Sequence, residues 1–254
     1  MSTPVQILLA DFSAAAHVRR ESELLPQLHL QERVRYRKFA HLQRRQVWLA
    51  GRELLLAALL RYLPQVDACA LVTEANGAIR YGDGGVHVSL SHSGDLLAAA
   101  LAASPIGVDI EASRPRACSA QARRLFTRTE TEYLQTLPPA KRQTGFYILW
   151  TLKEAIAKAA GLSLWDSLRN AEFDLPQSRI VLRAPFPDTC WNCLHAGIAA
   201  GWRLAVAARG SEDLRRVECW RRDLTGGWQE QRLLEPVILH AGKNLMRALP
   251  SVPV

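Results

Sequence analysis

The sequence predicts a mixed α/β fold, α+β in its grouping of helices and strands, made of two similar halves. Three patterns carry that reading. Residues 86–90 alternate, with Val86, Val88 and Leu90 on one face and His87, Ser89 and Ser91 on the other, which is the period of a strand. Residues 31–63 and 142–160 instead place apolar side chains at helical spacing, as with Val47, Leu54, Leu55, Ala58 and Leu59. Finally, HVSLSHSGDLLAAALAAS (87–104) echoes CLHAGIAAGWRLAVAARG (193–210) in hydrophobic rhythm: strand, glycine turn, small apolar strand.

The elements follow in order. A first strand spans residues 5–10, and the helical stretch 31–63 is stopped by Pro64. Turns fall at Gly77 and at residues 82–85, ahead of a hairpin turning at Gly94. Pro105-Ile106-Gly107 leads into a short strand at 108–111. Helices are expected at 120–125 and, after a capping turn at Thr127 to Glu130, up to Leu137. Pro138-Pro139 is a break, and the helix at 142–160 is stopped by Gly161. Short strands run from 171 to 228. The expected division is residues 1–107, with the basic helices, and 108–254, with the acidic motifs.

The chain of 254 residues is 48% hydrophobic and 22% charged, which excludes a disordered, collagen-like or disulfide-stapled miniprotein class. Its five cysteines are odd in number and scattered, as expected of reduced thiols. No basic stretch precedes the first apolar run, and no window nears the ~20 apolar residues of a membrane span. A cytoplasmic chain without membrane attachment is the expectation. The formal net charge of +8 favours a polyanionic partner.

Asp109 and Glu111 lie two apart on a strand, so both carboxylates project to one face. Such a pair repels unless a cation intervenes or one acid takes a proton. Paired carboxylate oxygens suit Mg²⁺, although the same spacing fits a strand end with solvated acids. Gly107 and Pro105 beside them suggest a close approach to the backbone. Trp150, Glu154 and Lys158 form one helical stripe, either a surface ion pair or the place where a metal and a phosphate meet these charges.

From Arg33 to Arg52 there are seven basic residues and no acid: Arg33, Arg35, Arg37, Lys38, Arg44, Arg45 and Arg52. They read as a phosphate clamp or as a solvated face. Ser91-His92-Ser93 adds hydroxyl and imidazole donors for a phosphate. Cys190, Cys193 and His195 mimic a zinc knuckle but lack a second ligand pair at finger spacing. Tyr36, Phe39 and Trp48 read as helix core rather than a base-stacking platform.

Taken together, Ser91-His92-Ser93, Gly107-Val-Asp109-Ile-Glu111, Phe126-Thr-Arg-Thr-Glu130 and Trp150-Thr-Leu-Lys-Glu154-Ala-Ile-Ala-Lys158 resemble the signatures of the Sfp-type 4′-phosphopantetheinyl transferases. The resemblance implies a pseudo-dimer of two α/β halves with coenzyme A and Mg²⁺ between them. It implies transfer of the phosphopantetheine arm to a serine of an apo acyl or peptidyl carrier protein, releasing adenosine 3′,5′-bisphosphate. The implied metal ligands are Asp109, Glu154 and, directly or through water, Glu111. Lys158 matches the lysine on the pyrophosphate side and His92 the histidine that contacts a coenzyme A phosphate, with Ser91 a further candidate for binding the cofactor. Arg35 matches the residue on the 3′-phosphate, with Arg44 and Arg45 as helpers. Glu154 is the expected base, with Glu111 or Glu130 in reserve. Gly77-Ala78-Ile79 departs from the Gly-Lys-Pro of many relatives, and Arg80 is the candidate substitute. The helix at 120–126, with Arg114, Arg116, Arg123 and Arg124, is the candidate carrier surface. A monomer with no nucleic-acid or membrane partner is implied. Two alternatives stay open: a non-catalytic member that binds coenzyme A or a carrier, and a basic nucleic-acid-binding protein using Arg33 to Arg52.

Overall fold

A computed structural model describes residues 4–12, 21–114, 118–210, 212–223 and 227–242. The chain begins with β1 (Gln6–Asp11), α1 (Glu21–Leu24), α2 (Leu30–Arg37) and α3 (Leu42–Tyr62). Next come β2 (Leu71–Thr73), β3 (Ile79–Tyr81), β4 (Val86–Ser93) and β5 (Leu96–Ala102). After β6 (Ile106–Ala112) the pattern repeats with α4 (Cys118–Leu125), α5 (Arg128–Thr136), α6 (Pro139–Ala160) and α7 (Leu164–Asn170). The strands β7 (Ala171–Asp174), β8 (Arg179–Leu182), β9 (Trp191–Ala199) and β10 (Trp202–Arg209) follow. The last three are β11 (Glu218–Arg222), β12 (Trp228–Glu230) and β13 (Leu234–Ala241).

Two sheets stack between two long helices. The first sheet has the order β12-β11-β1-β5-β4-β3-β2 and the second β6-β10-β9-β13-β8-β7. Period-2 alternation sends Leu97, Ala99 and Leu101 of β5 against α3, and Leu96, Ala98 and Ala100 against the second sheet. On the second sheet Val206 and Ala208 face that shared core, while Ala205 and Ala207 face α6. Strands buried on both faces need apolar residues at every position, which is why β5 reads as a continuous run rather than an alternation.

The echo seen in sequence is real in space. β1-β5-β4-β3-β2 of the first sheet repeats as β6-β10-β9-β8-β7 of the second, with β13 inserted beside β9. Each half also carries the same buried pin. In the first, Arg52 Nε donates to Glu32 Oε2 at 2.8 Å while Thr73 N–H of β2 donates to Glu32 Oε1 at 2.8 Å. In the second, Lys153 Nζ pairs with Glu130 Oε1 at 3.0 Å while Phe173 N–H of β7 donates to the same oxygen at 2.9 Å. A carboxylate thus ties a long helix to an outer strand in both halves.

Several expectations need adjustment. The boundary set at 107/108 falls inside β6, and β11 and β12 return to the first sheet, where β11 runs parallel to β1. The halves therefore interleave in sequence. The stretch 31–63 is two helices, because α2 ends at Arg37 and the chain is extended at His41 before α3 begins, and α6 starts at Pro139, a residue whose missing N–H is harmless in the first turn. The last residues, 243–254, lie outside the described residues.

Gly107 is fixed by packing. A Cβ there would lie 2.0 Å from Ala155 O and 2.6 Å from Ala159 N, both backbone atoms of α6. What approaches the strand backbone closely is this helix. Gly107→Ala is expected to lower stability by about 3 kcal/mol, at the upper end of overpacking effects, because neither backbone can move aside alone. Urea unfolding at neutral pH measures it, and a change below about 1 kcal/mol would contradict the packing.

Candidate active site

β6 is the edge strand of its sheet, and its open edge meets the serine face of β4. The period-2 series Ser89, Ser91 and Ser93 does the joining. Val108 N–H donates to Ser89 Oγ at 3.0 Å, and Ala112 N–H to Ser93 Oγ at 3.2 Å. Ser91 Oγ donates to Asp109 Oδ1 at 2.6 Å, and Ser93 Oγ to Glu111 Oε2 at 2.7 Å. These hydroxyls satisfy an otherwise exposed strand edge and aim its acids. Ser89 was not singled out in the sequence, although its place in the alternating serine series was a usable signal.

Across this edge, α6 delivers Glu154 and Lys158. Lys158 Nζ donates to Asp109 Oδ1 at 2.8 Å and to Val108 O at 3.0 Å. The expected Glu154–Lys158 pairing gives way to Lys158–Asp109, because β6 lies closer to the ammonium than the preceding helical turn does. Glu154 is half-buried and makes no ion pair within 4.0 Å among the described residues. Burial pushes its carboxyl above the usual carboxylate range; Asp109 adds to the rise, Lys158 opposes it and Glu111 adds a little more. Trp150 stacks on Phe146 at 6.2 Å and belongs to the helix core.

Three carboxylates from two elements thus crowd one spot. Asp109 is buried, and its Oδ2 has no hydrogen-bond partner among the described residues. Among the described residues no group of three or more His, Cys, Asp or Glu side chains is placed to hold a metal ion by itself. The donor set nevertheless fits a hard divalent ion that takes one or two carboxylate oxygens and completes its shell with water and phosphate oxygens. Asp109 Oδ2 and the Glu154 carboxylate are the free donors.

The internal repeat isolates this chemistry in one half. Register places Leu8 and Ala10 of β1 where β6 has Asp109 and Glu111. Leu194 and Ala196 of β9 stand where β4 has Ser89 and Ser91. The acid that follows the buried cation in α3, Glu53, is neutralised by Arg222 Nη1 at 2.9 Å.

Lys158 also lines a neighbouring cleft of about 510 Å³, whose walls come from β3, β4, the start of β6 and the end of α6. Glu74, Ala78 and Arg80 form its rim, so the departure at Gly77-Ala78-Ile79 lies on the cleft wall. His92 is exposed at the site's edge; partial burial and then Lys158 hold its imidazole below the ordinary range. The basic helices are divided. Arg35 Nη2 donates to Glu74 O at 3.4 Å, beside the cleft, and Arg44 is exposed. Arg45 Nε donates to Phe39 O at 2.8 Å with its guanidinium over the Tyr36 ring, and Arg52 is buried in its pin.

Glu130, held in reserve as a base, is corrected by its surroundings. It is 1% exposed, and its two oxygens accept from Thr127 N–H, Phe173 N–H and Lys153. Cys193 faces the core, where burial pushes its thiol up, and burial lowers His195 to about 4 with Arg203 adding to the fall. Among the described residues these groups form no metal cluster. Arg114, Arg123 and Arg124 are exposed near α4, and Arg116 lies outside the described residues. Among the described residues no helix is long and apolar enough to cross a membrane.

Comparisons with known proteins agree with the motif resemblance. Residues 105–207 match the family model of the 4′-phosphopantetheinyl transferase superfamily. A 4′-phosphopantetheinyl transferase of Bacillus subtilis is 39% identical over 79 residues, 31% of this chain and 35% of the relative. The 4′-phosphopantetheinyl transferase psf-1 of Bacillus pumilus is 30% identical over 133 residues, 52% and 57% of the two chains. The 4′-phosphopantetheinyl transferase AcpT of Salmonella typhimurium is 36% identical over 126 residues, 48% and 62%. The chain therefore spans between about a third and three fifths of the length of these relatives.

Proposed function

We propose that the chain is a Mg²⁺-dependent 4′-phosphopantetheinyl transferase, moving the phosphopantetheine arm of coenzyme A to a serine of an apo acyl or peptidyl carrier protein. The observation that carries this reading is the meeting of Asp109, Glu111, Glu154 and Lys158, the last of which also lines the cleft, inside the segment that matches the superfamily. Asp109 and Glu154, with Glu111 directly or through water, would hold the ion. When bound it would neutralise the diphosphate as negative charge builds on the leaving oxygen.

The chain's own groups account for the rest. Lys158 is poised on Asp109, where its ammonium can turn toward a phosphate oxygen and offset the leaving group's charge. Glu154, set among these charges, would take the proton of the carrier serine, directly or through a water. The serine oxygen then bonds to the phosphorus of the arm, the phosphoanhydride bond breaks, and adenosine 3′,5′-bisphosphate leaves. Ser91 is engaged with Asp109 and orients it, while His92 and Arg35 stand at the rim for the cofactor's phosphates. Arg44 is free to assist at the surface, and Arg45 contributes mainly through the bend it fastens at Phe39.

Arg45 and Arg52 of the basic run are engaged within the fold, which favours this reading over a nucleic-acid-binding face. Exposed Arg123 and Arg124 on α4 suit an acidic carrier helix. We place the protein in the cytoplasm as a monomer, since its cysteines are free and one chain supplies the whole acidic site. Incubation with coenzyme A, Mg²⁺ and apo carriers of the fatty-acid and peptide-synthetase kinds is expected to add one phosphopantetheine to the carrier mass, and chelation to stop it. No mass gain on any carrier, with coenzyme A still bound, would favour a binding-only relative.

A further inference from the structure

Three strongly basic side chains wall the cleft, and two are engaged. Arg80 meets Glu74 at 3.4 Å and Lys158 meets Asp109 at 2.8 Å. The third, Arg209, closes β10 and has no carboxylate within 4.0 Å among the described residues. Its backbone N–H donates to Pro105 O at 3.0 Å, which fixes the residue beside the start of β6 at the cleft floor. His87 lines the same cleft, and Arg209 stands near enough to help burial hold that imidazole below its ordinary range.

A half-buried guanidinium stays charged at every physiological pH and gains little by being left without a counter-ion. Nor does the fold require it. In the internal repeat the position equivalent to Arg209 is Ala103, since Ala99 and Ala205 occupy matching registers and each residue lies four further on.

We propose that Arg209 anchors a second anionic group of the cleft ligand, the 3′-phosphate of coenzyme A. This assignment rests on the transferase reading. Ala205 is the register partner of Asp109, so Arg209 begins four strand residues away, about 14 Å at 3.4 Å per residue. That spacing separates its backbone from the acids that take the diphosphate. Coenzyme A carries one further ionised phosphate, on the ribose, while its pantetheine arm is uncharged. Arg35, bonded to Glu74 O on the rim, would flank the same phosphate from the other side.

The test is calorimetric binding of coenzyme A and of 3′-dephospho-coenzyme A, without carrier, to the full chain and to Arg209→Ala and Arg209→Gln. Alanine copies the internal repeat and glutamine keeps most of the volume, and thermal melting checks both folds. Either variant is expected to weaken coenzyme A at least about tenfold, as for a lost charge-assisted hydrogen bond, and 3′-dephospho-coenzyme A less than about twofold. Unchanged affinity, or equal weakening of both ligands, overturns the assignment while leaving the transferase reading in place. Failure of the unaltered protein to bind coenzyme A overturns both.

Discussion

Glu154→Gln is expected to lower the rate of carrier modification by about 10²–10⁴-fold, the range for loss of a general base, and still leave a folded protein. Glutamine keeps the shape but can neither accept the serine proton nor carry charge to an ion. The same change is expected to raise stability. Burial and the neighbouring Asp109 push the Glu154 carboxyl up, so the native state holds its proton to a higher pH than the unfolded chain does. Stability then falls as pH rises through the native value, and above it the ionised Glu154 is a burden that glutamine removes. The urea midpoint of Glu154→Gln should exceed that of the unaltered chain at pH 7, with the difference vanishing below the usual carboxylate range. A variant that keeps normal turnover would remove Glu154 from the reaction. One that loses turnover and also stability would mean the side chain supports the fold.

The largest stability effect is expected at the buried pin of the second half. Glu130→Ala leaves Lys153, fully buried, without a counter-charge, and strips Phe173 N–H and Thr127 N–H of their acceptor. Removing one partner of a buried pair is expected to cost about 3–5 kcal/mol in urea unfolding. Burial already pulls the Lys153 ammonium below its ordinary range, with Glu130 opposing the fall. Without Glu130 the native state sheds that proton more readily than the unfolded chain, so stability lost at pH 7 should partly return as pH rises toward 10. Lys153→Met added to Glu130→Ala should recover part of the loss at neutral pH, because no charge then remains buried. A Glu130→Ala variant within about 1 kcal/mol of the unaltered chain would contradict the pin.

Some of this was legible from residue spacing. The capping box is in the sequence as Thr127 and Glu130, and both of its reciprocal hydrogen bonds form. Yet the same Glu130 also looked like a spare base, since nothing local reveals that Lys153 and Phe173 N–H close over it. The run from Arg33 to Arg52 reads as one basic face, whereas the fold buries Arg52 against Glu32, a residue just outside the run. Arg209 carried no signal at all, because the cleft it lines is assembled from both halves.

The sequence alone determined the alternation that aims Asp109 and Glu111 together, the helical stripe that carries Glu154 and Lys158, the hairpin echo, and the family likeness. Each of these depends on stereochemistry within one turn or one pleat, which residue order specifies directly. Tertiary structure decided which cation meets which acid, which acid is left unpaired, and that β11 and β12 cross back to the first sheet. Those outcomes depend on burial and on contacts between distant stretches of chain. A charge's partner there is set by how the layers pack, not by its neighbours in the chain.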